Sequence, residues 1–191
     1  LGPLAFPDVA LGCAESTAAR LGASPGEAQR ELRNFDEALM IERERPLALG
    51  SLQALPVPGR CEIGGSELEL HPADGHTLDG MAIWIPWAQV LVAGDYLSSV
   101  EIPALNAGDT VEAYVATLER LRPLVQAADR VVPGHGTVTD STRALAVLEE
   151  DIRYLDQLRE RGAEAKLPSS RRSRQHRTLH AENLAAIGMS Q

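Results

Sequence analysis

Cysteine is scarce in this chain. Its 191 residues hold two, Cys13 and Cys61, far apart and without CxxC spacing. That argues against a disulfide framework and leaves reduced, buried thiols in a cytoplasmic setting as the expectation. Long apolar runs are missing as well. The segment MAIWIPWAQVLVAG is short and interrupted by Pro86 and Gln89, below the roughly 18 residues that a membrane helix needs, so no membrane association is expected. The first residues, LGPLAFPDVALG, have neither the basic stretch nor the apolar stretch of a secretory signal. Positive charge is outweighed, with a net charge of −9, which disfavours a nucleic-acid partner.

What remains is a chain with 44% hydrophobic and 24% charged residues, long enough for one domain with a sizeable core. Strands and helices alternate along it. Ser24, Pro25 and Glu27 read as a cap, first turn and capping box for a helix from about Pro25 to Ile41. Short β-type segments follow at Ala48 to Leu55 and in EIGGSELEL, where Gly64 and Gly65 make a turn before a strand at Glu67 to Leu70. Met81 to Ile85 and Val90 to Ala93 read as a buried hairpin. A helix started by Asp109 puts Val111, Leu118 and Leu121 on one face, and Val131 with Val132 makes another buried strand. The last long helix, about Ser141 to Arg161, carries a stripe of Leu145, Leu148, Ile152 and Leu155 and stops at Gly162. A polar connector at about 163–177 then leads to a short helix around Thr178 to Ile187.

Three residues stand out because each follows a strand: His76 in the loop HPADGHTLDG, Asp95 after VLVAG, and His135 in VVPGHG. In an α/β fold the ends of adjacent strands gather along one edge, so residues distant in sequence reach one cleft. Two imidazoles and a carboxylate there match the donors that zinc or iron prefers. Each also has a plain structural reading, as a hydrogen-bonding loop histidine or, for Gly94-Asp95, as a simple turn. Around them, Asp74 and Asp79 could orient the His76 ring, His71 reads as the end of a strand, and Tyr96 faces the pocket or the core. Arg171, Arg172, Arg174 and Arg177 read as solvated charge on the connector, or as a contact for an anionic partner.

Taken together, DGHTLDG, VLVAGDYL and VVPGHGTV resemble the Gly-His-Thr loop, the strand with Gly-Asp, and the Pro-Gly-His-Gly motif of the metallo-β-lactamase-fold metallo-hydrolases. The resemblance implies an α/β fold, part of an αββα sandwich. It implies that His76 binds one metal, that Asp95 bridges two and acts in catalysis, and that His135 binds the second. Zinc is the implied cofactor, as one or two ions, with iron or manganese as substitutes. The implied reaction is hydrolysis of a small-molecule ester, thioester, lactone, lactam or phosphodiester by metal-activated water.

The chain also departs from that pattern. The family's His-x-His-x-Asp-His loop is absent, and the histidines at 71, 76, 135, 176 and 180 include no His-x-His pair. Because LGPLAFPD resembles the family's segment directly after that loop, the sequence reads as a single domain, 1–191, truncated at its N-terminus. Three ligands divided between two metals imply weak binding and low activity. The alternative is a non-catalytic remnant or a module that another chain completes, with uncovered apolar faces favouring a homo-oligomer.

Overall fold

The computed structural model describes residues 9–24, 26–43, 52–106 and 109–188. They gather into two compact units, Leu1–Pro56 and Val57–Gln191, where the length suggested one domain. In the first unit, β1 (Leu11–Ala14) lies parallel to β2 (Leu52–Leu55), with Leu11 opposite Leu52 and Ala14 opposite Leu55. The part of the expected Ala48 to Leu55 segment before Leu52 lies outside the described residues. Two helices belong to this unit, α1 (Glu15–Ala23) and α2 (Glu27–Ala38), and neither buries a residue.

Helix α1 was not anticipated, and it changes the role of Ser24. That residue closes α1, its N–H donating to the Arg20 carbonyl, instead of opening the next helix. Helix α2 starts two residues later than expected, after Gly26 in the left-handed region at φ 81° and without a side-chain cap. Pro25, expected at the first helical position, lies outside the described residues. The helix also ends early, at Ala38, and Met40 beyond it takes a φ of 54°, which a helix cannot accommodate.

The second unit is built on a five-stranded sheet in sequence order, β3 (Gly59–Ile63), β4 (Ser66–Pro72), β5 (Met81–Ile85), β6 (Val90–Gly94) and β7 (Arg130–Pro133). The β3–β4 hairpin turns on Gly64 and Gly65, at φ 60° and 79°, the pair of positive angles that a two-residue turn between right-twisted strands requires. A short 3₁₀ turn at Pro86–Ala88 closes the β5–β6 hairpin. Helix α3 (Val111–Ala127) then carries the chain over to β7, which pairs parallel to β6. Helix α4 (Ser141–Arg161) and helix α5 (Arg174–Gly188) complete the unit.

Direction follows from this pairing. Strands β4, β6 and β7 all run the same way, because β5 is antiparallel to both β4 and β6 while β7 is parallel to β6. Their carboxyl ends, Pro72, Gly94 and Pro133, therefore lie on one edge of the sheet, with Pro72 opposite Met81 and Gly94 opposite Pro133.

The core reflects the apolar stripes. Leu118, Leu121 and Val125 of α3 and Leu148, Leu155 and Leu158 of α4 are buried with Leu91 and Val131 of the sheet. Burying one such side chain contributes about 1.5–3 kcal/mol. Helix α4 has the expected limits, and its Asp140 cap accepts a hydrogen bond from the Arg143 N–H at 2.8 Å. At α3 the cap is Thr110, whose hydroxyl accepts from the Ala113 N–H at 3.1 Å, and not Asp109. Asp109 turns the other way and accepts from the Asn106 N–H at 2.7 Å.

The connector reading of about 163–177 changes most. Helix α5 starts at Arg174, four residues before the expected Thr178, and Arg171 is 1% exposed where a solvated charge was expected. No helix among the described residues is long and apolar enough to cross a membrane.

Candidate metal centre

All three strand-end residues meet at the carboxyl edge of the sheet. Asp95 follows β6, His135 follows β7, and His76 lies in the 73–80 loop after β4. His76 Nε2 stands 3.4 Å from Asp95 Oδ2, and His135 Nε2 stands 3.4 Å from Asp95 Oδ1. One carboxylate thus faces an imidazole with each oxygen.

The histidine ring states sharpen this. His76 Nδ1 lies 3.0 Å from the Ala104 carbonyl oxygen. A carbonyl only accepts, so Nδ1 carries the proton and, in the neutral ring, Nε2 turns a lone pair toward the carboxylate. Two acceptors face one another stably only with a cation, a proton or a metal ion, between them. Two donor atoms on one tetrahedral zinc with bonds of about 2.0–2.1 Å are themselves about 3.3–3.4 Å apart. Each His–Asp pair has that spacing, so the donor set fits a metal ion on either side of Asp95. Among the described residues no three or more His, Cys, Asp or Glu side chains converge on one point. The donors are instead two pairs sharing one carboxylate.

The glycine before His135 has a steric reason. A Cβ at Gly134 would overlap Asp95 Oδ1, so only glycine lets the β7 turn come this close to the carboxylate. The Gly134 N–H also donates to the Gly94 carbonyl at 2.6 Å, tying the two turns together. Two residues past Asp95, Leu97 is 1% exposed yet holds a φ of 62°, a left-handed conformation that costs a branched side chain energy and that clusters at functional sites.

Tyr96, which faced pocket or core on sequence grounds, is 3% exposed and anchors the His76 loop. Its hydroxyl accepts from the Gly75 N–H at 2.8 Å and the His76 N–H at 2.6 Å, and donates to the Ala73 carbonyl at 3.0 Å. Burial raises its pKa to about 12, so the donating proton stays in place. Burial also raises Tyr114 well above the ordinary value, and its hydroxyl donates to the Asp95 carbonyl at 3.2 Å.

Asp74 does not orient the His76 ring. It accepts from the Thr117 hydroxyl at 3.2 Å and pairs with Arg120, because the 73–75 backbone runs against α3. His71 stays on β4 opposite Ala82, beside Glu69. Glu101 was not anticipated: its Oε1 lies 3.7 Å from His135 Nδ1, within ion-pair reach and too far for a hydrogen bond. No local signal marks it, since it sits in a loop without apolar periodicity.

A cavity of about 50 Å³ runs from Asp95 and Tyr114 to the buried Asp151. Burial raises the Asp151 pKa to about 7 against the opposing charge of Arg171, whose Nη2 is 2.6 Å from Asp151 Oδ1. A wider groove of about 750 Å³ lies over His76 and His135, with Arg174, Gln175 and Leu179 of α5 on its wall.

The family model for the metallo-beta-lactamase superfamily matches residues 18–135. A type 2 metallo-β-lactamase of Bacillus sp. (strain 170) is 30% identical over 139 residues, 68% of this chain and 52% of the relative. The chain therefore spans about half the length of the curated relatives it matches. Among solved structures, an archaeal metallo-β-lactamase superfamily protein from Sulfolobus tokodaii aligns with a TM-score of 0.59 at 15% identity, covering 94% of this chain and 70% of that one. A metallo-β-lactamase family protein from Thermus thermophilus gives 0.58 at 18% identity, covering 95% and 66%. The chain belongs to the metallo-β-lactamase superfamily, and its fold is the mixed α/β fold of that family.

Proposed function

We propose that this chain carries the metal centre of a metal-dependent hydrolase acting on a small-molecule ester, thioester, lactone, lactam or phosphodiester. The observation that supports it is the placement of the two His Nε2 atoms, each 3.4 Å from a different oxygen of Asp95. In this reading His76 and His135 would each hold a zinc ion, with Asp95 offering one carboxylate oxygen toward each, and iron or manganese could substitute. A bound ion supplies a hydroxide at neutral pH and polarises the scissile bond. The chain's own residues orient and enclose. The Ala104 carbonyl fixes the His76 tautomer, Tyr96 holds the loop backbone, and the groove of about 750 Å³ has the size of a small-molecule site.

A second reading has its own support. Each side of Asp95 offers two protein donors, whereas a catalytic zinc uses three. This favours a centre that reaches full strength only when further ligands join it, from elsewhere in a longer polypeptide or from another chain.

Elemental analysis of the purified chain separates these readings from a metal-free role. About one or two zinc, iron or manganese ions per chain, lost in Asp95→Ala and His135→Ala, supports the hydrolase centre. Substoichiometric metal that is still lost in both variants supports the incomplete centre. Background metal in all three proteins would overturn the assignment of these residues as ligands.

A further inference from the structure

Between β6 and α3 the 98–105 segment forms no regular hydrogen-bond ladder, although Ile102 and Leu105 are buried. Its main-chain groups therefore need other partners. The Ser98 hydroxyl accepts from the Val100 and Glu101 N–H groups at 3.2 and 3.0 Å, and three further buried side chains, all from the C-terminal stretch, serve other main-chain groups of the loop. Arg171 Nη1 donates to the Ser98 and Glu101 carbonyls at 3.1 and 2.6 Å. His176 Nε2 lies 2.7 Å from the Val100 carbonyl, and its Nδ1 accepts from the Ser173 N–H at 3.0 Å, so Nε2 is the protonated, donating nitrogen. Asn183 uses both ends of its amide, donating to the Pro103 carbonyl at 2.7 Å and accepting from the Leu105 N–H at 2.9 Å. These three residues are 1%, 9% and 0% exposed.

The same loop backs both imidazoles. Its Ala104 carbonyl holds His76 Nδ1, its Glu101 carboxylate stands near His135 Nδ1, and the adjoining Asn106 amide donates to the His76 carbonyl at 2.8 Å. Arg171 is itself fixed from behind by Asp151 and Glu150, at 2.6 and 2.9 Å. A chain of bonds thus runs from α4 through Arg171 to the loop, and from the loop to the His76 ring, with the Glu101 carboxylate of the same loop within ion-pair reach of His135.

We propose that Arg171, His176 and Asn183 are positioning residues of the metal centre, clamping the 98–105 loop so that it holds the His76 ring against Asp95. This rests on the reading of His76, Asp95 and His135 as metal ligands. Filling space alone would call for apolar side chains. Here every clamp residue is polar, buried and bonded to a main-chain atom of that one loop, which makes the loop's path specific.

The test uses the full chain, with zinc affinity measured by chelator competition and the visible spectrum recorded after cobalt substitution. Asn183→Asp keeps the size and the bond from Leu105 but sets an oxygen against the Pro103 carbonyl. It is expected to lower zinc affinity about 10–100-fold, as loss of groups that orient ligands does, and to shift the cobalt bands. Tyr154→Phe is the control, because the Tyr154 hydroxyl meets the Asn183 amide at 3.0 Å away from the loop. It is expected to lower the thermal midpoint while leaving affinity and spectrum as in the parent. Unchanged affinity and spectrum in Asn183→Asp, or an equal loss in Tyr154→Phe, would overturn the clamp.

If Asn183→Asp does not fold, His176→Gln and His176→Ala replace it. The Gln amide can still donate to Val100, so Gln is expected to retain the affinity that Ala loses, and equal losses overturn the proposal. If the parent chain binds no metal, the ligand assignment fails and the clamp is judged by long-range nitrogen NMR of the His76 ring. A fixed Nδ1–H tautomer in the parent that becomes mixed in the variant supports the clamp, and identical spectra reject it.

Discussion

His76 and His135 stand at the same distance from one carboxylate, yet they are held there in opposite ways. His76 is bonded at its ring Nδ1, its backbone N–H and its carbonyl, to Ala104, Tyr96 and Asn106. The His135 side chain is 51% exposed, against 20% for His76, and the group facing its Nδ1 is Glu101 at 3.7 Å. What aims His135 is the tight turn through Gly134, pressed against Asp95. One arm is positioned by hydrogen bonds and the other by close packing of backbone, so each should fail to a different kind of substitution.

The largest effect is expected from Gly134→Ala. The added Cβ would displace either the His135 turn or the Asp95 carboxylate, disturbing both sides at once, and metal content should fall to background by elemental analysis. Tyr96→Phe should strike mainly the His76 arm. It leaves the Gly75 and His76 N–H groups without their acceptor, and an unsatisfied buried donor costs about 1–3 kcal/mol. Chemical denaturation should show that loss, with zinc affinity about 10–100-fold weaker.

Behind both arms, Asp151 gives a pH signature. Its folded pKa of about 7 lies above the ordinary value of 3.8, so the native state holds a proton that the unfolded chain releases. Its contribution is therefore fully present below the unfolded pKa and fades as pH rises through about 7. Asp151→Asn should flatten the pH dependence of unfolding of the metal-free chain in that window. A variant slope equal to the parent's would contradict the raised pKa. The smallest effect is expected from Glu101→Gln, because a half-exposed ring 3.7 Å away gains little from that charge. Zinc affinity should change only a few-fold, and a loss rivalling that of Tyr96→Phe would erase the contrast between the two arms.

The two compact units differ in a related way. Leu118, Leu148 and Leu155 are fully buried in the second, whereas α1 and α2 of the first bury no residue and Phe35 is 48% exposed. Where the core is dense, the sequence was easy to read. Strands β5 and β6 and helix α4 fall at the expected places because apolar spacing is strict wherever one face must be buried. Helix α1 has no such face, so nothing in its pattern announced it.

The capping of α3 failed for a different reason. Asp109 and Thr110 are both good caps, and only the bond between Asp109 and the Asn106 N–H decides that Thr110 serves α3. The connector reading failed because charge and lost periodicity suggest solvent, whereas Arg171 and His176 bury their polar atoms against a loop.

Strand ends, the residues just after them and the glycine beside His135 are local features, and the sequence alone determined them. Apolar alternation and turn chemistry act between near neighbours. Tertiary structure decided that β4, β6 and β7 point the same way, that each oxygen of Asp95 meets a different imidazole, and that Leu105 finds its acceptor in Asn183, 78 positions away. No short-range pattern encodes a hydrogen bond across that separation, because its partners become neighbours only after the sheet and helices have packed.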